Sequence, residues 1–93
     1  MLGLYYFNWA GTPEEFKEYI GRMKSICDGI EGVEFKGLFT PTSEWHFVFL
    51  VEFTIYEKGL EVLKTYRKKY GSAKVALAKA EILHTPEEFG ITL

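Results

Sequence analysis

The chain has 93 residues and a mass of 10.8 kDa, the length of a single domain with one core. Hydrophobic residues make up 47% and charged residues 26%, which excludes a disordered or collagen-like chain; no apolar run approaches the roughly 18–20 residues that span a bilayer. Eleven basic residues against 13 acidic ones leave a net charge of −2, which argues against nucleic acid or an anionic membrane held by bulk charge.

Leu2 to Trp9 is apolar almost throughout, rich in aromatics and too short for a stable helix, which predicts a buried strand. Thr12-Pro13-Glu14-Glu15 is a helix start. Thr12 can cap, Pro13 suits the first helical position, and Glu15 sits where a capping-box partner belongs. Phe16, Tyr19, Ile20, Met23, Ile26, Cys27 and Ile30 then recur at steps of three and four, one face of an amphipathic helix that Gly29 or Gly32 ends.

From Val33 the period changes to two. Val33, Phe35, Gly37 and Phe39 alternate with Glu34, Lys36, Leu38 and Thr40. After a turn at Pro41-Thr42-Ser43, Trp45, Phe47, Phe49, Val51 and Phe53 alternate with His46, Val48, Leu50, Glu52 and Thr54, so the two runs predict a β-hairpin. Thr54-Ile55-Tyr56-Glu57 repeats the cap signature. Leu60, Leu63, Tyr66 or Arg67, and Tyr70 then mark a second helix ended at Gly71. Ser72 to Lys74 reads as linker and Val75 to Leu83 as a last strand, with Ala76, Ala78 and Ala80 on one side. Thr-Pro-Glu-Glu-Phe occurs at Thr12 to Phe16 and again at Thr85 to Phe89, where Gly90 limits the second copy to little more than one turn. Residues 84–93 read as a short tail on the single domain 1–93.

The order βαββαβ with right-handed crossovers predicts an α+β, ferredoxin-like fold: a four-stranded antiparallel sheet, two helices on one face, the other face open. The alanine side of the last strand suits close-packed helices. Glu34, Lys36, Leu38, His46, Val48, Leu50, Glu52, Lys79 and Glu81 are then expected on the open face, an apolar centre with charged edges. Two Trp, six Tyr and eight Phe are more aromatic surface than one small core hides, which favours a partner subunit, a homodimer through the open face.

The chemical inventory is spare. A glycine-rich phosphate loop, a His-Glu-x-x-His pair and a Cys-x-x-Cys pair are all missing from the sequence, so neither a metal nor a cofactor is expected. One cysteine cannot form an internal disulfide, and Met1-Leu2-Gly3 lacks the start of a signal peptide; both place the expected compartment in the cytoplasm. Cys27 falls on the buried helix face, where it reads as a structural hydrophobe. His46, Glu52 and Asn8 are the candidates for acid–base work, a histidine near carboxylates being able to exchange protons near neutrality. Tyr6, Asn8, Trp9, His46 and Glu52 are the candidate ligand-binding residues, in a cleft between sheet and helices that admits a small aromatic or apolar molecule. The basic run Lys64, Arg67, Lys68, Lys69 and Lys74 reads as a solvated helix end that offsets the helix dipole.

Over Leu2 to about Thr85 this pattern of elements, with the short Pro41-Thr42-Ser43 hairpin and an apolar open face, resembles the dimeric α+β barrel superfamily. That resemblance implies two ferredoxin-like sheets packed face to face. Its members include cofactor-independent monooxygenases, haem-degrading enzymes, isomerases, ligand-sensing domains and stand-alone proteins without known function. The haem-degrading branch wants an axial histidine on the second helix, and Glu57 to Gly71 contains none. Asn8-Trp9 is compatible with the monooxygenase branch. A second resemblance is to the RNA-recognition motif, which shares the element order. Leu4-Tyr5-Tyr6-Phe7-Asn8-Trp9 is similar to its first-strand signature, departing at Tyr6 and Trp9, and Phe47 to Phe53 is similar to its aromatic third strand, with Val48 where a small residue belongs. It implies single-strand RNA stacked on Tyr5 and Phe49. A structural or regulatory dimer without a ligand is the third alternative.

Overall fold

The computed structural model describes residues 1–69 and 75–92, with residues 67, 69 and 75–78 described by backbone alone. The elements are β1 (Leu2–Trp9), α1 (Pro13–Asp28), β2 (Val33–Phe39), β3 (Phe47–Phe53), α2 (Tyr56–Lys69), β4 (Val75–Leu83) and a closing 3₁₀ turn (Pro86–Phe89). The strands form one antiparallel sheet in the order β2-β3-β1-β4, so β1 and β3 are central and each crossover skips a neighbour. This is the expected ferredoxin-like arrangement. The expectations placed on Tyr70, Gly71 and the Ser72–Lys74 linker, and on the side chains of Arg67 and Lys69, lie outside what is described.

Local chemistry accounts for the first helix. The Thr12 hydroxyl accepts from the Glu15 amide, and the Glu15 carboxylate accepts in return from the Thr12 amide, which satisfies donors that have no partner within the helix. Gly29 caps the far end in a right-handed conformation, and Gly32 (φ +83°) turns the chain into β2.

The core lies between the sheet and the helices. Tyr5 and Phe7 of β1, Phe49, Val51 and Phe53 of β3, Met23, Ile26 and Cys27 of α1, and Val62 of α2 are all buried. On α2 the packed face is Gly59, Val62, Leu63 and Tyr66, while Leu60, expected inside, is only half-buried. The difference has a steric cause. A Cβ at position 59 would lie 2.9 Å from the Phe53 ring, so glycine there lets α2 settle onto β3 and rotates the buried stripe by about one residue. The Tyr5 hydroxyl reaches the Gly59 carbonyl at 3.5 Å, and burial pushes its pKa up to about 12. Burial likewise lifts the Cys27 thiol to about 11, which suits a packing role rather than a nucleophile.

The predicted alternation on β2 holds only for its first half. Phe35 pairs with Val51, but Gly37 pairs with Leu50, so Lys36 is an extra residue in a β-bulge. Beyond the bulge the faces exchange: Leu38 packs against the core, not the open face, and Phe39 is 54% exposed. A bulge carrying a lysine on an edge strand also discourages pairing with a foreign strand. Trp45 and His46, expected inside β3, instead end the loop before it, which runs from residue 40 to 46.

Candidate functional site

Three of the expected site residues meet where β1 ends and β3 begins. The His46 amide donates to Asn8 Oδ1 at 2.8 Å, and the Trp9 amide donates to His46 Nδ1 at 3.2 Å. These two bonds continue the β1–β3 ladder by side chains, one step past Phe7 opposite Phe47, where backbone pairing stops. Nδ1 is an acceptor here, so the neutral ring carries its proton on Nε2 and presents it outward from an exposed residue.

Next to this clamp half-buried aromatic rings close the end of the layer between sheet and α1. Phe16 and Phe47 lie 4.4 Å apart between centroids, Trp9 meets Phe16 edge-on at 5.4 Å, and Trp9 and Tyr19 are 5.2 Å apart. The Trp9 indole N–H donates to the Thr12 carbonyl, which ties the ring to the start of α1. Behind them Tyr19 meets Tyr66 in a T-shaped contact at 5.6 Å, and burial raises the Tyr19 hydroxyl well above the ordinary tyrosine range. These rings largely fill the region that the sequence assigns to a ligand cleft.

Tyr6 and Glu52 lie elsewhere. Both are on the open face, opposite Trp9, and six residues of extended strand, roughly 20 Å, separate Glu52 from His46. The imidazole and this carboxylate are therefore not brought together. Tyr6 lies 6.1 Å from Trp45, with Lys79 Nζ 5.5 Å above its ring and Glu81 2.8 Å from the same ammonium. Glu52 is directly opposite Glu34, two like charges that Lys36 bridges at 3.9 and 3.5 Å. Beside them a hollow of about 390 Å³ is lined by Met1, Gly32, Val33, Glu34, Glu52, Phe53 and Thr54.

Three rows cross the open face from β4 to β2. They are Lys79, Tyr6, Val48 and Phe39; Glu81, Leu4, Leu50 and Gly37; and Leu83, Leu2, Glu52 and Glu34. The centre is apolar and the charges sit toward the edges. Leu4, Tyr6 and Trp45 were not among the residues the sequence placed on this face; β1 is apolar almost throughout, so only its pairing opposite Leu50 and Val48 assigns the first two.

The RNA reading is corrected by the same register. It needs Tyr5 and Phe49 outward, but they are 8% and 1% exposed beneath the helices, so neither can stack a base. Among the described residues there is no group of three or more His, Cys, Asp or Glu side chains that could hold a metal, and no helix is long and apolar enough to cross a membrane.

A crystal structure of a dabb family protein with a ferredoxin-like fold, from Mesorhizobium loti, superposes with a TM-score of 0.67 at 18% identity, over 90% of this chain and 96% of that one. This likeness shows the fold. It bears out the fold expected from the resemblance to dimeric α+β barrels. No family model matches the chain, and no curated protein matches it.

Proposed function

We propose that the chain works as a cytoplasmic homodimer, two open sheet faces packed together, that takes up a small aromatic or apolar molecule by parting the half-buried rings between sheet and α1. The observation that carries the dimer is the helix-free face itself. Leu4, Tyr6, Val48 and Leu50 form a continuous apolar centre on two adjacent strands, Val48 buried among its neighbours and the others half-buried, and no helix among the described residues covers this face. Burial of about 800 Å² per subunit there is a standard interface. Those rings support the ligand class. Trp9, Phe16 and Phe47 offer apolar faces, and the His46 ring, 6.5 Å from that of Phe47, is the polar group beside them, while Asn8 belongs with Tyr6 to the open-face side of β1. A carboxylate partner for His46 is not among them. If the bound molecule is oxidised, the chemistry follows the cofactor-independent monooxygenase pattern, in which dioxygen is the oxidant and the bound molecule supplies all four electrons, one oxygen atom entering it and the other leaving as water.

Sedimentation tests the dimer. The wild type is expected near 22 kDa at micromolar concentration, twice the 10.8 kDa of the chain, and Leu50→Lys near the single-chain value. A wild type that sediments as one chain refutes the face-to-face reading. For the ligand, Trp9 is a built-in reporter: an aromatic compound that binds should change its fluorescence saturably, and Phe16→Ala or Phe47→Ala should weaken that response.

A further inference from the structure

His46 and Glu52 stand roughly 20 Å apart along one strand, and each is open to a further contact. His46 is exposed and spends Nδ1 on the Trp9 amide, which leaves the Nε2 proton to donate. The Glu52 side chain is 52% exposed, with Lys36 Nζ 3.9 Å from Oε2.

Resting on the dimer proposed above, the charges of the open face restrict how two copies can meet. For aligned sheets the two-fold lies in the interface, along the strands or across them. An axis along the strands lays Leu83 and Leu2 over Glu34 and Glu52 of the other copy, apolar against charged. Across the strands, an axis on the Lys79 row or on the Glu81 row sets like charges over each other. One between the Glu81 and Leu83 rows sets carboxylates over leucines. Between the Lys79 and Glu81 rows the match is good: Lys79 lies over Glu81, Tyr6 over Leu4 and Val48 over Leu50 of the other copy, each contact made twice. The Lys79–Glu81 pair of each subunit, 2.8 Å apart, then closes with its counterpart into a square of alternating charge.

This axis lays β3 antiparallel over its own copy, turned about Phe49. His46 and Glu52 are three residues to either side of Phe49, so each faces the other across the interface; the same step sets Leu2 over Asn8. Packed sheets are about 10 Å apart, the combined reach of a histidine and a glutamate side chain. We propose that two copies pair about this axis and that Glu52 of each subunit accepts the His46 Nε2 proton of the other, supplying the carboxylate that this imidazole lacks in its own chain. With Nδ1 on an amide and Nε2 on a carboxylate, the ring is fixed in one tautomer and one orientation. The acid–base unit then belongs to the dimer, one at each end of the interface.

Mixing experiments on the full chain test this. Lys79→Glu and Glu81→Lys each set like charges over one another, so either variant alone should self-associate about tenfold more weakly, and a 1:1 mixture should recover the dimer. The pair within one chain is broken in both, so recovery can come only across the interface. His46→Cys and Glu52→Cys test the site itself. With a bis-maleimide linker of about 10 Å the mixture should give a covalent dimer, and neither variant should link to itself, because like positions lie roughly 20 Å apart. Cys27 is fully buried and does not compete. Proton NMR reads the contact: a His46 Nε2–H signal protected from exchange is expected in the wild type and should vanish in Glu52→Ala, which remains a dimer. Cross-linking without that protected signal refutes the pairing and keeps the axis. If the wild type sediments as a dimer but the mixtures neither recover nor cross-link, the axis and the pairing are refuted and the face-to-face dimer stands. A wild type that sediments as a single chain refutes all three.

Discussion

The pentapeptide Thr-Pro-Glu-Glu-Phe occurs twice and folds two ways. At Thr12 to Phe16 it opens a helix of 16 residues; at Thr85 to Phe89 it makes a 3₁₀ turn of four. The start is the same in both: an extended threonine whose hydroxyl accepts from the amide of the second glutamate, then proline. What differs is the following residue and the fate of the phenylalanine. Lys17 continues a run with an apolar face, whereas Gly90 adopts a left-handed conformation (φ +78°) that stops it. Phe16 is packed between Phe47 and Trp9, while Phe89 touches His84 at 4.9 Å and is otherwise open. A cap starts a helix, but burial of its face sustains it.

Cutting back the two phenylalanines separates the copies most strongly. In the Leu50→Lys background, where association is expected to be lost, Phe16→Ala should lower unfolding free energy by about 2–4 kcal/mol, the low side of the range for buried rings because Phe16 is half-buried. Phe89→Ala in the same background should stay within about 0.5 kcal/mol. Denaturant melts of both variants measure the difference, and equal losses would mean that the tail packs on its own subunit. The caps come next in size. Thr12→Ala should cost about 1 kcal/mol, since it removes one arm of a complete capping box, and Thr85→Ala should leave global stability unchanged because the tail can unfold by itself.

The same contrast between local and non-local causes explains what was legible beforehand. The start of α1, the order of elements and the side of β3 that faces the helices follow from caps and periodicity, which are local. By contrast α2 starts at Tyr56, with Ile55 and not the expected Thr54 just before it, and the Ile55 carbonyl accepts from the Lys58 amide. Leu38 and Phe39 were assigned to the wrong sides because one inserted residue at Lys36 reverses a strand, and no property of Lys36 marks it as that residue. Asn8 and His46 were picked out as chemical residues. Their mutual bonding spans 38 positions and depends on where the β1–β3 pairing stops, which no local pattern encodes. Val62 replaced Leu60 in the core through a ring contact at Gly59, again non-local.

The smallest expected effect concerns how the tail copy holds its shape. Glu88 has its carboxyl held below the ordinary range, first by the hydrogen bond from His84 and then by the Thr85 backbone. Glu15, at the same place in the first copy, is joined instead to the Thr12 amide and hydroxyl. A carboxylate whose pKa is depressed in the ordered turn favours that turn at pH values above its ordinary value. The contribution is lost as pH falls through the depressed value. His84→Ala removes the leading cause and should therefore raise the Glu88 midpoint toward that of a free side chain. The tail should then loosen at a higher pH than in the wild type. Titration of the Glu88 side-chain carbon by NMR reads the midpoint, and the Gly90 and Ile91 amide shifts read the turn. A midpoint that His84→Ala leaves in place would assign the depression to the Thr85 backbone and the positive amino terminus, making the second cap independent of His84.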